Sequence, residues 1–280
     1  MHAYEVLDVF TTTPLEGNQL AVFTEAEQLP SRLMQAVARE LNLSETVFLL
    51  PGDSECDAHA RIFTTTAELP FAGHPTLGTA FVVGAAKGLD TVRLRTGAGV
   101  IEVRLIRNEA GEIVFGEMDQ PIPTIAPFAQ VEALLAALGV KRAELPIETY
   151  TNGPSHVVVA LADGAAVAAL TPDQTALGKL GTFGFNAFGP SGEASYRTRM
   201  FGPAIGVAED PATGSAAGPI AVHLLRHGRL ASGVTIELLQ GVEIRRPSTL
   251  HATVVGSPEQ ISAVRVGGSA VRVAHGHYHL

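Results

Sequence analysis

Three acid–base side chains stand at the polar edges of apolar segments: Glu45, His74 and Asp210. Glu45 lies in Leu43-Ser44-Glu45-Thr46, just ahead of the apolar run Val47-Phe48-Leu49-Leu50. His74 lies in Phe71-Ala72-Gly73-His74-Pro75-Thr76, and Asp210 in Glu209-Asp210-Pro211-Ala212-Thr213-Gly214-Ser215. A carboxylate in a semi-dry cleft has its pKa raised by desolvation and so exchanges protons near neutral pH. A histidine beside it can supply or receive the proton. Ser44 and Thr46 flank Glu45 and stand where they would orient it. Ser215 offers a hydroxyl donor, and Gly73 and Gly214 let a ligand approach the backbone closely. If the last two segments open helices, their unpaired N–H groups and the helix dipole favour an anion such as a substrate carboxylate. Each residue also has an ordinary structural reading. Glu45 fits a solvated strand start, His74 a helix-start histidine bound only to backbone, and Asp210, Thr213 or Ser215 a helix cap.

The elements that would position these residues follow from pattern. Tyr4 to Phe10 and Ala21 to Phe23 predict short strands, separated by a turn at Glu16-Gly17-Asn18. Leu29 to Leu41 predicts a helix with Ser31 as its cap and Leu33, Val37 and Leu41 on one apolar face. Strands are expected from Val47 to Leu50 and from Ala58 to Phe63, then a turn-rich segment from Thr64 to Pro70. The segment Phe71 to Gly84 predicts a loop entering a very apolar helix, with Pro75 in the first turn and Gly78 marking tight packing. Such a helix is surrounded on most sides. Further strands are expected at Val92–Leu94, Val100–Ile106 and Glu112–Gly116.

Pro121, Pro123 and Pro127 mark a boundary near residues 117 to 128. Beyond it the order recurs: a short helix over Val131–Leu138, a strand over His156–Leu161, a helical approach over Thr171–Gly178 and a strand over Glu193–Phe201. A polar turn then opens into a second small-residue apolar helix, with strands near Val234–Leu239, His251–Val255 and Val264–Val273. Gly73-His74-Pro75-Thr76 and Asp210-Pro211-Ala212-Thr213 are the matching helix entrances. This weak internal repeat predicts two similar domains with a cleft between the helix starts. The alternative is one α+β protein in which apolar helices recur.

Composition excludes several classes. Of 280 residues, 46% are hydrophobic, enough for a substantial core. Lys plus Arg is 19 and Asp plus Glu 28, so the net charge of −9 argues against nucleic-acid binding. No run approaches the ~18 apolar residues that span a bilayer, and the N-terminal residues do not resemble a signal peptide; a cytoplasmic protein is expected. The single cysteine, Cys56, rules out an intrachain disulfide and fits packing better than nucleophilic chemistry. Neither G-x-G-x-x-G nor a P-loop lysine is present, so no dinucleotide or ATP site is expected. His275, His277 and His279 alternate near the C-terminus, but no metal is assigned to them.

The combination of Asp8-Val9-Phe10-Thr11 with Gly17-Asn18, Leu43-Ser44-Glu45-Thr46, Glu68 to Gly78, Glu209 to Ala216, and Gly241 with Arg246-Pro247-Ser248 resembles the phenazine-biosynthesis F protein family of the diaminopimelate epimerase-like superfamily. The resemblance covers nearly the whole chain. It implies an α+β fold of two similar domains, each with a mixed or antiparallel sheet wrapped around a central helix. The first domain is expected over residues 1–120 and the second over 121–280, with the last strands able to pack on the first.

It also implies a cofactor-independent isomerase, usually a homodimer, that moves a proton within a small conjugated carboxylic acid. In the characterised activity, trans-2,3-dihydro-3-hydroxyanthranilate loses a proton from carbon 3 and regains it elsewhere on the ring system. The family's general base maps onto Glu45, its histidine onto His74, its aspartate onto Asp210 and its serine onto Ser215. Ser44, Gly73 and Gly214 complete the expected substrate contacts. The paired cysteines of the superfamily's epimerases are absent, with Gly73 and Asp210 at the corresponding entrances. Arg245 stands where glycine is common. The alternatives are an amino-acid or hydroxy-acid epimerase or racemase, and a non-catalytic binder of small carboxylates.

Overall fold

The computed structural model describes all residues, 1–280, and the chain divides into two units. Met1–Asp119 and Gly267–Leu280 form the first; Gln120–Val266 form the second. The C-terminal residues therefore complete the unit in which the chain began. No helix is long and apolar enough to cross a membrane.

The first unit runs β1 (His2–Val9), β2 (Asn18–Phe23), α1 (Ser31–Leu41), β3 (Glu45–Pro51), β4 (Ala58–Phe63), β5 (Glu68–Leu69), α2 (Gly73–Lys87), β6 (Thr91–Thr96), β7 (Gly99–Arg107) and β8 (Ile113–Asp119). The second runs β9 (Thr124–Pro127), α3 (Val131–Leu138), β10 (Glu148–Thr151), β11 (Ser155–Ala160), α4 (Gly164–Ala168), α5 (Gln174–Gly178), β12 (Gly184–Gly192), β13 (Ser195–Gly202), β14 (Val207–Asp210), α6 (Gly214–Arg226), β15 (Thr235–Gln240) and β16 (Ser248–Gly256). The chain leaves the second unit within β17 (Ile261–Gly268), and β18 (Ala270–Tyr278) returns antiparallel to β1.

Both units repeat one pairing scheme. In the first, β1–β2 is antiparallel, β2–β3 parallel, β3–β4 and β4–β5 antiparallel, β4–β6 parallel and β6–β7 antiparallel. In the second, β10–β11, β11–β12, β12–β13, β13–β14, β13–β15 and β15–β16 follow the same sequence of directions. Each parallel pair requires a crossover connection, and helices supply it. β18 flanks β1 as β9 flanks β10.

Alternation along the strands gives each sheet two covered faces. In the first unit Phe23, Phe48 and Phe63 pack with Met34 and Val37 of α1. Leu20 and Val47 therefore face the other way, toward α2. In the second unit Val157, Val159, Phe185 and Ala187 pack with Leu134 of α3 and Leu177 of α5, leaving His156 and Asn186 to face α6. The two central helices are buried from Gly73 to Gly84 and from Gly214 to Leu225. Small residues permit this: a Cβ on Gly78 would sit 2.7 Å from side-chain carbons of both Leu20 and Val9.

Several local expectations change. The first helix begins at Ser31, not Leu29, and Pro30 is its N-cap, without a side-chain capping bond. Ser31 Oγ instead accepts a hydrogen bond from Arg61. The strand Gly184–Gly192 was not apparent because its glycines and Pro190 read as turn chemistry. The expected strand over Val264–Val273 is two strands broken at Ser269. The helix entrances match four residues away from the expected alignment. Ile62 pairs with Leu69 as Met200 pairs with Asp210, and Ala72 and Thr213 occupy the two N-cap positions. Leu69-Pro70-Phe71-Ala72-Gly73-His74 is thus the counterpart of Asp210-Pro211-Ala212-Thr213-Gly214-Ser215. Arg245 has a φ of 61°, the left-handed region that glycine occupies without steric cost.

Pro219 lies inside α6. It has no N–H to bond the carbonyl of Ser215 four residues earlier, and the Asn152 amide donates to that carbonyl at 3.0 Å. Replacing Asn152 by Ala strands a buried acceptor, with an expected loss of about 1–3 kcal/mol. In a Pro219→Ala background the restored helix N–H serves the same carbonyl, so Asn152→Ala should cost much less there. Urea denaturation of the four proteins measures this coupling. Equal losses in both backgrounds would exclude the compensation.

Candidate active site

Glu45 is the first residue of β3, paired in parallel with Leu20. Period-two alternation puts its side chain on the α2 side with Val47. His74 is the second residue of α2 and is buried. Its Nε2 approaches Glu45 Oε2 to 3.4 Å, without hydrogen-bond geometry. The other ring nitrogen bonds the backbone of Gln19. Burial pushes the imidazole pKa down to about 3, with the Gln19 contact acting weakly the other way. At neutral pH the ring is uncharged. Nδ1 carries the hydrogen toward the backbone carbonyl, so Nε2 presents a lone pair beside the Glu45 carboxyl group.

Ser44 occupies the half-buried bend before β3. Thr46 does not orient Glu45: it faces the opposite side of the strand, and its buried hydroxyl has no hydrogen-bond partner. Gly73 opens α2. The first-turn N–H groups of Gly73 and His74 have no acceptor within the helix, and Pro75 removes the next donor.

In the second unit Asp210 ends β14 and is buried. Thr213 Oγ1 donates to its Oδ2 at 2.6 Å. Gln240, at the end of β15, accepts from Thr213 N at 3.1 Å through Oε1. Its Nε2 donates to the Asp210 carbonyl at 2.8 Å and to Thr213 Oγ1 at 2.9 Å. Gly241 follows with a φ of 76°, and a Cβ there would collide with the carbonyls of Arg246 and Pro211. The neighbouring Glu209 is gripped by Arg199 through two bonds of 2.8 Å. Asp210 is thus held on both sides of the turn. It is not the cap of α6: Thr213 takes that position, and its side chain makes no capping bond.

Ser215 is the second residue of α6, at the position His74 occupies in α2. Its Oγ lies 2.9 Å from His156 Nε2. His156 Nδ1 lies 3.2 Å from Asn186 Nδ2, which also donates to the Gly184 carbonyl at 2.8 Å. Burial pushes the His156 pKa down to about 4. Gln120 Nε2 donates to the carbonyl of Gly214 at 2.9 Å. Sequence reasoning missed His156, Asn186, Asn152, Gln120 and Gln240. The available signal for His156 and Asn186 was a lone polar residue beside apolar or aromatic neighbours in a strand.

Two further groups could offer metal ligands. Asp53, Cys56 and His59 form one, and Glu148, His223 and His227 the other. In the first, Asp53 already accepts from the backbone of Glu55 and Cys56 and bonds His59 and Arg95. In the second, Arg226 lies 3.0 and 3.1 Å from the two oxygens of Glu148, and Tyr150 donates to the same carboxylate. Existing protein bonds thus occupy both carboxylates. Cys56 is buried, as packing requires.

Residues 7–276 match the family model described as phenazine biosynthesis-like protein. The chain is 48% identical over 280 residues, covering all of both proteins, to the trans-2,3-dihydro-3-hydroxyanthranilate isomerase of Pseudomonas aeruginosa. The fold matches a phenazine biosynthesis protein of the PhzF family from Bacillus anthracis, with a TM-score of 0.86 and 24% identity over 100% of this chain and 99% of the other. It also matches a probable proline racemase from Agrobacterium radiobacter, at a TM-score of 0.70 and 12% identity over 100% and 93% of the two chains. These last two likenesses establish the two-unit epimerase-like fold.

Burial of His74 has a measurable pH signature. Its pKa is about 3 in the folded chain, against 6.5 when unperturbed. Between those values the unfolded chain binds the extra proton. Stability therefore rises with pH through this window and is lost on acidification. The slope attributable to one such ring is about 1.4 kcal/mol per pH unit. Urea denaturation between pH 7 and pH 5 should show a shallower dependence for His74→Gln than for the unsubstituted protein. Identical slopes would show that folding does not shift the titration of this ring.

Proposed function

Because the chain belongs to the phenazine biosynthesis-like family of isomerases, we propose that it moves a proton within a small conjugated carboxylic acid without a cofactor, with trans-2,3-dihydro-3-hydroxyanthranilate as the specific substrate. The observation that carries this reading is the Glu45–His74 contact: a carboxyl group beside a neutral imidazole whose Nε2 holds a lone pair. The Glu45 carboxylate removes the proton from carbon 3. The electron pair left behind delocalises through the conjugated ring, and the protonated carboxyl returns the proton to another ring carbon. The enol so formed tautomerises to the ketone. Atoms and charge balance with one carboxyl group serving as base and then acid.

His74 Nε2 accepts or relays a proton beside Glu45. Asp210, held by Thr213 and the Gln240 clamp, orients a donor group of the substrate. Ser215 and the first-turn N–H groups near Gly73 and Gly214 hold the carboxylate or the negative charge that develops during proton transfer. Chain register supports one-base chemistry over epimerisation. Leu20 pairs with Glu45 as His156 pairs with Gly184, so the second unit has glycine where the first has its base. Inversion at a carbon needs bases on opposite faces, and the repeat does not duplicate this one.

Glu45→Gln keeps the side-chain size and removes the base. Turnover of trans-2,3-dihydro-3-hydroxyanthranilate, followed by proton NMR in deuterated water, should fall by about 10²–10⁴-fold. The far-ultraviolet circular dichroism should not change. Undiminished turnover would remove Glu45 from the mechanism. Absence of turnover by the unsubstituted protein would remove this substrate.

A further inference from the structure

His156, Asn186 and Ser215 form a buried chain ending at the first turn of α6. Its direction is fixed from the far end. Asn186 Nδ2 donates to the Gly184 carbonyl at 2.8 Å, so the amide nitrogen is also the atom facing His156 Nδ1 at 3.2 Å. The reversed amide would set its oxygen against the carbonyl. Nδ1 must therefore be the bare nitrogen. The neutral ring carries its one hydrogen on Nε2, and Nε2–H donates to Ser215 Oγ across 2.9 Å. With that oxygen accepting, the serine's own hydrogen remains for an acceptor outside the chain.

The repeat supplies an independent comparison. The counterparts of His156 and Asn186 in the first unit are Leu20 and Val47, both fully buried. The first unit therefore fills these two positions with apolar side chains. Burying an imidazole and an amide costs stability unless each is satisfied, yet the second unit carries both. Gly184 keeps the space open: a Cβ there would sit 2.7 Å from His156 Nδ1.

We propose that His156 and Asn186 are positioning residues that make Ser215 a one-way hydrogen-bond donor, committed to an anionic oxygen of the ligand. The assignment rests on the isomerase reading for its ligand, but its tautomer can be tested without one. It also distinguishes the chain Ser215–His156–Asn186 from a hydrolytic triad. A histidine with Nε2 protonated cannot take the serine proton, so Ser215 is a donor and not a nucleophile.

The first measurement is the nitrogen-15 spectrum of histidine-labelled intact protein, with the His156 signals assigned by their loss in His156→Leu. The expected result is a neutral ring protonated at Nε2 from pH 8 to pH 5.5. An Nδ1-protonated or doubly protonated ring overturns the proposal, whether or not any substrate is turned over.

The second measurement is steady-state turnover of trans-2,3-dihydro-3-hydroxyanthranilate. Ser215→Ala should raise KM by about 10–100-fold with kcat within about threefold, as expected for binding shared by ground and transition states. His156→Leu should reproduce most of that rise, and His156→Gln, which retains an N–H donor, should recover part of it. In the Ser215→Ala background His156→Leu should change KM less than twofold. A full-sized second loss there, or no effect of His156→Leu alone, overturns the positioning role. If the unsubstituted protein does not turn this compound over, the isomerase reading of substrate fails and the tautomer measurement still decides the proposal.

Discussion

Burying an entire helix inside a sheet that wraps it creates a problem at the helix ends. The first turn of any helix has N–H groups with no partner of their own, and a helix enclosed by strands cannot rely on water to serve them. Both units meet this constraint. From Gly73 to Gly84 and from Gly214 to Leu225 every residue is buried. The sequence of each entrance follows from it. A proline precedes the turn, a glycine opens the helix, and a polar side chain stands next: His74 in one unit and Ser215 in the other. The same geometry that leaves donors unpaired places an acid–base group or hydroxyl beside them.

The two units solve the remaining packing differently. In the first, Leu20 and Val47 present apolar side chains toward the helix, and Glu45 stands at the strand end. In the second, His156 and Asn186 replace apolar residues in the sheet, Asn152 stands opposite Pro219, and Gln120 reaches the carbonyl of Gly214. Hydrogen bonds join these groups to one another and to the backbone, which offsets the cost of burying them. The second helix entrance is consequently more rigidly specified. Gln240 ties the turn to β15 through three hydrogen bonds, and Arg199 fixes the adjacent Glu209. In the first unit His74 is held by burial and a backbone contact.

The fold was legible where local pattern and tertiary role agreed. The apolar run after Gly73 could only be a surrounded helix, and small residues after Gly214 gave the same reading. Glu45, His74, Asp210 and Ser215 were visible because each is a polar residue at the mouth of an apolar element. What escaped had no local signature. β12 carries Gly184, Gly189, Pro190 and Gly192, which look like turns until β11 and β13 are paired on either side. Asn186 was hidden with it. His156 opens an obvious strand, but only the register with β12 shows that it faces α6. The alignment of the two entrances was misplaced by four residues for the same reason: strand pairing, not residue type, sets which positions correspond.

That correspondence bears directly on chemistry. A pseudo-symmetric pair of units is well suited to reactions needing matched groups on opposite faces of a substrate, because duplication supplies two equivalent positions. Here the matched positions hold different residues at each step: Glu45 against Gly184, His74 against Ser215, Leu69 against Asp210, Leu20 against His156. Glu45 and the His74 lone pair belong to one unit; the fixed Asp210 carboxyl and the Ser215 hydroxyl belong to the other. The repeat therefore supplies unlike groups instead of doubling either. The proposed reaction needs no doubling, because a substrate acidified by its own conjugation lets a single carboxyl group take a proton and return it.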